Sequence, residues 1–207
     1  EALAVLTRTS EDLLAAGENE RAASVAQLVI DNARATQSQQ RIAWTVLAHV
    51  RFDLGDFPQA EAAYQEARRR LPSEGKDNDA ITERLAASIY KQGEMEQAAG
   101  NVTAAVSHFQ RVAEVTPTAS IAATAEYDAA AGLMSLQQWT QAATVLNRFR
   151  TSYPDDPRQS EVTRRLATVY LAEERPLQAA AEFERIGHNH ADQELRGTGR
   201  TRIIEHP

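Results

Sequence analysis

Apolar residues recur along this chain at three- and four-residue spacing, in blocks separated by short polar turns. That is the period of one helical face. The clearest block runs from 41 to 72. Trp44, Leu47, Ala48 and Phe52 share a face, which predicts a helix from about Gln40 to Leu54. Gly55 takes positive φ without steric cost and ends that helix, and Asp56 suits the N-cap of the next. Ala60, Tyr64, Ala67 and Leu71 line one face of the second helix, and Pro72 stops it.

The block recurs. Ala22, Ala60, Ala105, Ala142 and Ala179 each open a second helix, at intervals of 38, 45, 37 and 37 residues. A period in the high thirties predicts stacked helix pairs rather than a globule around a cleft. The pairs fall at about 2–35, 41–72, 77–117, 119–154 and 157–187. The first is the least regular, with Leu13, Leu14 and Gly17 leading to Ala22, Val25, Ala26 and Val29, and reads as a divergent repeat. In the third, Lys76-Asp77-Asn78-Asp79 is a polar start and a long helix spans about 80–99. Gly93 inside it costs up to about 1 kcal/mol relative to Ala, tolerable where another helix packs tightly. Gly100-Asn101 makes the turn, and Ala105, Phe109 and Val112 lead to Pro117. The fourth pairs Ala125, Ala129, Ala130 and Leu133 with Ala142, Val145, Leu146 and Phe149. Trp139 lies near its turn and Pro154 ends it. Asp156 is then expected to cap, with Pro157 at the first helical position. Leu166, Ala167, Tyr170, Ala179, Phe183 and Ile186 form the fifth. Residues 188–207 lose the period and are expected to be a partial helix, a frayed end or a cut boundary. No run alternates in polarity as a strand would.

Composition sharpens this reading. The 207 residues include 38 alanines, which favour helix and let backbones approach closely. Net charge is −7. A nucleic-acid binder needs clustered Lys and Arg, and the only dense basic run, Arg68-Arg69-Arg70, suits a solvated last helical turn. Nucleic acid is not an expected partner. The absence of cysteine removes disulfides, Cys-ligated zinc and thiol catalysis. No stretch is long and apolar enough for a membrane span. The chain starts at Glu1 rather than Met, as a trimmed fragment would.

With Trp44, Leu47, Ala48, Ala60, Tyr64, Ala67 and Pro72 in register, and Leu166, Ala167, Tyr170, Ala179 and Phe183 repeating part of it, the chain resembles a tetratricopeptide repeat protein over roughly 2–187. Arg51 departs from the usual aromatic, and Pro176 is odd near its turn. The resemblance implies an all-α solenoid, a right-handed superhelix of about five helix-turn-helix repeats. It also implies a concave groove lined by first helices. The positions matching that groove are Thr45, His49, Phe52, Tyr90, Glu94, Tyr127, Met134, Arg164, Thr168 and Leu171. Tyr90, Tyr127 and Phe52 are equally compatible with packing between helices. The paired Lys and Asn that grip a C-terminal carboxylate in one variant of the family are missing. The run Thr151-Ser152-Tyr153-Pro154-Asp155-Asp156-Pro157 is similar to linkers in bacterial envelope proteins of this family, which implies a periplasmic or envelope location, with the cytoplasm as alternative.

Candidate chemistry is sparse. His188-Asn189-His190 with Asp192 is too short a spacing to supply zinc on its own, so no metal and no cofactor are expected. There is no Gly-rich phosphate loop and no nucleophile elbow. The expectation is a non-catalytic scaffold that binds a peptide or helical segment of a protein partner, as part of a larger envelope assembly protein. Two alternatives stay open: a module that pairs with copies of itself, and the non-catalytic arm of an enzyme whose active domain lies outside these residues.

Overall fold

A computed structural model describes residues 1–71 and 76–187. Among them every regular element is a helix: α1 (Ala2–Ala15), α2 (Asn19–Ile30), α3 (Gln37–Asp53), α4 (Phe57–Arg68), α5 (Lys76–Ala98), α6 (Val102–Val115), α7 (Ala122–Ser135), α8 (Trp139–Ser152), α9 (Gln159–Ala172) and α10 (176–187). The fold is all-α, of the helix-hairpin solenoid type. Its contacts divide it into two compact units, Glu1–Ala125 and Glu126–Pro207.

Five hairpin turns are built alike. Gly17, Gly55, Gly100, Gln137 and Glu174 all have positive φ, and each lies five residues before an anchor alanine. At each, two backbone bonds close the helix end: Gly55 N–H donates to the Phe52 carbonyl at 2.9 Å and Asp56 N–H to the Arg51 carbonyl at 2.9 Å. The same pair recurs from Gly17 and Glu18, Gly100 and Asn101, Gln137 and Gln138, and Glu174 and Arg175. This is the Schellman arrangement, which satisfies carbonyls that a helix end leaves free. The residue after the turn then becomes the N-cap of the second helix. Asp56 does so with its side chain, accepting from Gln59 N–H at 3.3 Å.

All five anchor alanines are buried, in keeping with the close packing of helices in a core. In the first unit, Leu13, Ala22, Ala26, Val29, Ala43, Val46 and Val50 form one continuous core. The irregular first repeat is therefore a full hairpin. α5 starts at Lys76, before the expected 80, so the polar run 76–79 lies inside the helix rather than ahead of it. Its 23 residues, against 17 in α3, contribute to the long second interval, from Ala60 to Ala105. Gly93 answers the condition set by the sequence. A Cβ there would lie 2.5 Å from Phe109 Cε1 and 2.7 Å from its Cδ1, so the ring occupies the space a side chain would need.

A buried polar network joins α4, α5 and α6. Glu61 is only 7% exposed. It pairs with Arg111, accepts from Gln92 Nε2 at 2.7 Å and accepts from Gln65 Nε2 at 3.0 Å. Arg111 also donates to His108 Nδ1 at 3.2 Å. A charge this deep is retained only where several partners replace water.

Two expectations fail in the second unit. Asp156 does not cap α9, and Pro157 is not its first residue; α9 begins at Gln159 behind Arg158. Asp156 instead accepts from Arg158 N–H, Nε and Nη2 at 2.8, 2.8 and 2.7 Å, a local clasp that competes with capping. Phe183, expected on the packed face, is 51% exposed, whereas Ala179 and Glu182 of the same helix are buried. Pro72 and residues 188–207, including the His188–Asp192 cluster, lie outside the described residues.

Candidate functional site

In the first unit, Thr45, His49 and Phe52 occupy successive turns of α3, away from the stripe of Ala43, Val46, Leu47 and Val50 that enters the core. All three are half-buried. Thr45 Oγ1 donates to the Arg41 carbonyl at 2.9 Å. The His49 ring meets Tyr64 edge-on at 5.5 Å between centroids. His49 Nδ1 and the Tyr64 hydroxyl are both buried and have no hydrogen-bond partner within the protein. Burial lowers the His49 pKa, helped by the Arg84 guanidinium and opposed by Asp53 and the Thr45 backbone. Burial also pushes the Tyr64 phenol up.

Phe52 packs against Phe57 at 5.1 Å, and the Arg84 guanidinium lies over the Phe52 ring at 5.8 Å. Arg84 belongs to α5, so this contact joins consecutive first helices. Further along α5, Tyr90 tilts onto Phe109 at 5.2 Å and Glu94 accepts from Lys91 Nζ at 2.6 Å.

The second unit repeats the arrangement with different residues. Arg165 of α9 lies over Tyr127 of α7 at 4.5 Å, and Arg158 over the same ring at 5.2 Å. Tyr127 approaches Phe149 at 6.1 Å between centroids. Met134 is half-buried near the end of α7. Arg164, Thr168 and Leu171 run along the exposed face of α9, and Leu171 is 53% exposed. Arg164 pairs with Glu161 at 3.1 Å, and Thr168 Oγ1 donates to the Arg164 carbonyl at 3.2 Å. On α7, Glu126 is buried and accepts from Arg148 Nε of α8 at 2.9 Å, while its second oxygen has no partner. Burial raises the Glu126 pKa, with Arg148 opposing. Arg150 grips Glu182 through two bonds, 3.1 and 2.7 Å, tying α8 to α10.

The ten sequence-derived positions thus fall in two groups. Thr45, His49, Phe52, Tyr90 and Glu94 lie on α3 and α5. Tyr127, Met134, Arg164, Thr168 and Leu171 lie on α7 and α9. Phe52, Tyr90 and Tyr127 each pack one side against a neighbouring ring and remain half-exposed. Sequence reasoning missed Arg84 and the stacking of Arg158 and Arg165. Arginines on helical surfaces are common, and only the fold tells which sit over an aromatic ring. The basic run is engaged internally: Arg68 donates to the Val115 carbonyl at 3.0 Å, Arg69 and Arg70 pair with Glu66, and Arg70 lies over Trp44. Among the described residues no group of three or more His, Cys, Asp or Glu is placed to hold a metal, and no helix is long and apolar enough to cross a membrane.

Comparison with known proteins agrees with this architecture. A family profile described as Tetratricopeptide repeat matches residues 8–74, 45–117 and 127–193. No curated protein matches the chain. Among solved structures, MamA from AMB-1 is 14% identical, with 90% of this chain and 91% of that one covered at a TM-score of 0.46. YrrB, described as a TPR protein with an unusual peptide-binding site, is 14% identical, with 95% and 90% covered at 0.43. A putative kinesin light chain with nearly identical TPR-like repeats from Podosopora anserina is 16% identical, with 94% and 97% covered at 0.41. With its repeating hairpins and with matches that together span most of its length, this chain belongs to the tetratricopeptide repeat family.

Proposed function

We propose that the chain is a non-catalytic scaffold that binds an extended peptide or a helix of a protein partner along the face made by its first helices. The observation that carries this reading is a stripe that recurs in α3 and α9. Thr45, His49 and Phe52, and then Arg164, Thr168 and Leu171, lie off the core on the same side of their helices. Such a mixed surface of half-exposed aromatics, hydroxyls and charges has the composition of an interface centre, where aromatic and Arg anchors dominate the energy. Within a stack of hairpins such stripes make a long surface, which suits an extended ligand better than a small one.

Blocking the face tests this. Partners are first captured by crosslinking in native cells and identified by mass spectrometry. Thr45→Trp and Thr168→Trp then fill the face without touching the core, while Ser24→Trp and Gln141→Trp do the same on exposed second-helix positions. The reading expects the first pair to abolish binding and the second to leave it intact. Equal effects from both pairs would refute it. An envelope location is part of the proposal and rests on the 151–157 run; fractionation of the full-length gene product decides it.

A second reading is favoured by one observation. Leu177 and Phe183 on α10 are 86% and 51% exposed, apolar area that pairing of two copies would cover. Sedimentation over a range of concentrations would then show dimers that Leu177→Glu dissolves. A concentration-independent monomer rejects this reading.

A further inference from the structure

We infer that a cavity at the end of the hairpins opposite their tight turns is a subsite for the phosphate group of a small molecule. It lies within the first unit, where the C-terminal end of α4, the first two turns of α5 and the connection after α6 meet. Its volume is about 380 Å³, within the usual range of small-molecule sites. Arg68, Asn78, Thr82 and Thr118 form its polar wall, and Leu71, Val115 and Pro117 its apolar one. None of them belongs to the stripe of Thr45, His49 and Phe52, so this site is separate from the proposed partner face.

The polar wall carries donors that the fold leaves unspent. Arg68 gives one N–H, on Nη1, to the Val115 carbonyl at 3.0 Å. Among the described residues it has no carboxylate partner, and a guanidinium has four further N–H donors. Helical threonines elsewhere turn the hydroxyl back onto the carbonyl four residues earlier, as Thr45, Thr144, Thr163 and Thr168 do. Thr82 does not, and the side chains of Asn78 and Thr118 bond to none of the described residues either. Thr116, also in the wall, is buried and gives its proton to the Val112 carbonyl at 2.7 Å, so it braces the cavity. Among the described residues no carboxylate lines it. The nearby Glu83 spends both oxygens on Ser120, accepting from its N–H at 2.8 Å and its hydroxyl at 2.7 Å. A wall of donors with one positive charge selects an oxyanion. A guanidinium, an amide and two hydroxyls suit the several oxygens of a phosphate better than the two of a carboxylate. The cavity is many times the ~30 Å³ of a water molecule, so the apolar wall leaves room for a small organic body beside the phosphate.

The test titrates inorganic phosphate and glycerol 3-phosphate separately into the whole chain at fixed ionic strength, with sodium acetate and glycerol as controls. NMR amide signals locate binding, and calorimetry measures it. The inference expects saturable shifts at Arg68, Leu71, Asn78, Thr82 and Thr118, with a Kd of about 1 mM or tighter. Acetate and glycerol should bind about tenfold more weakly or not at all. Tighter binding of the ester assigns the apolar wall to an organic body, and equal binding assigns the cavity to free phosphate. Asn78→Asp puts a like charge in the wall and should weaken both ligands about tenfold or more. It removes no hydrogen bond among the described residues, so the thermal midpoint should hold. Thr82→Val, nearly the same shape, should weaken both about threefold or more and decides the matter if Asn78→Asp lowers that midpoint. A Kd weaker than about 1 mM, an equal response to acetate, shifts scattered over surface Lys and Arg, or variants that bind within about twofold of wild type overturn the subsite. None of these outcomes touches the partner-binding reading, which the Trp substitutions above test by themselves.

Discussion

Replacing Gly93 by alanine should destabilise the protein, although in an ordinary helix the change would do the opposite. Gly to Ala inside a helix gains about 1 kcal/mol from propensity alone. Here the new methyl would lie 2.5, 2.7 and 3.1 Å from Phe109 Cε1, Cδ1 and Cζ. Carbon atoms rest at about 3.5–4.0 Å, so the overlap is about 1 Å. Phe109 cannot simply swing away, because it is 2% exposed and Tyr90 tilts against it at 5.2 Å. Overpacking of this kind costs about 1–3 kcal/mol. Set against the propensity gain of about 1 kcal/mol, the net loss reaches up to about 2 kcal/mol. Urea unfolding followed by circular dichroism should show a lower midpoint at unchanged slope, with hydrogen exchange placing the loss in α5 and α6. In a Phe109→Ala background the same substitution should become stabilising, by up to about 1 kcal/mol. A Gly93→Ala protein as stable as wild type, or more so, would refute the reasoning, because the ring would then not be filling the space.

Three further outcomes follow from the packing. Glu61→Ala should cost about 2 kcal/mol in urea midpoints, below the usual 3–5 for breaking a buried pair because Arg111 is partly exposed to water, and the loss should shrink in an Arg111→Met background to what the bonds from Gln92 and Gln65 leave. Gln137→Gly should stabilise by up to about 1 kcal/mol, since a side chain at φ 58° is strained where glycine is not. His49 should contribute to acid sensitivity. Its folded pKa lies below the ordinary 6.5, so the fold favours the neutral ring; that contribution is full above 6.5 and is lost as pH falls through the folded value. His49→Gln should therefore flatten the decline in stability between about pH 7 and pH 5; an unchanged decline would mean that His49 is not the group responsible.

The hairpins were legible because their signals are steric. An alanine where backbones meet and a glycine at a left-handed turn leave few substitutes, and Ala22, Ala60, Ala105, Ala142 and Ala179 all proved buried. Legibility fell where the fold tolerates strain. Gln137 and Glu174 hold the same left-handed turn as Gly55 and Gly100, yet nothing in their side chains announces it. The start of α9 was misread because Asp156 had two local options, and three bonds to Arg158 outcompeted a cap. For the ten positions named from the sequence, the pattern carried no sign of the ring contacts around them. The Arg84–Phe52 and Arg165–Tyr127 contacts join residues far apart in sequence, and their geometry depends on how one hairpin packs on the next.

The central claim is that recognition occurs on the first helices. A photoreactive amino acid placed singly at Thr45, Glu94 and Thr168, and at the second-helix positions Ser24 and Gln141, would map the partner in living cells. Adducts from the first three alone are the expected result. Adducts that form equally from Ser24 and Gln141, or only from them, would contradict the account.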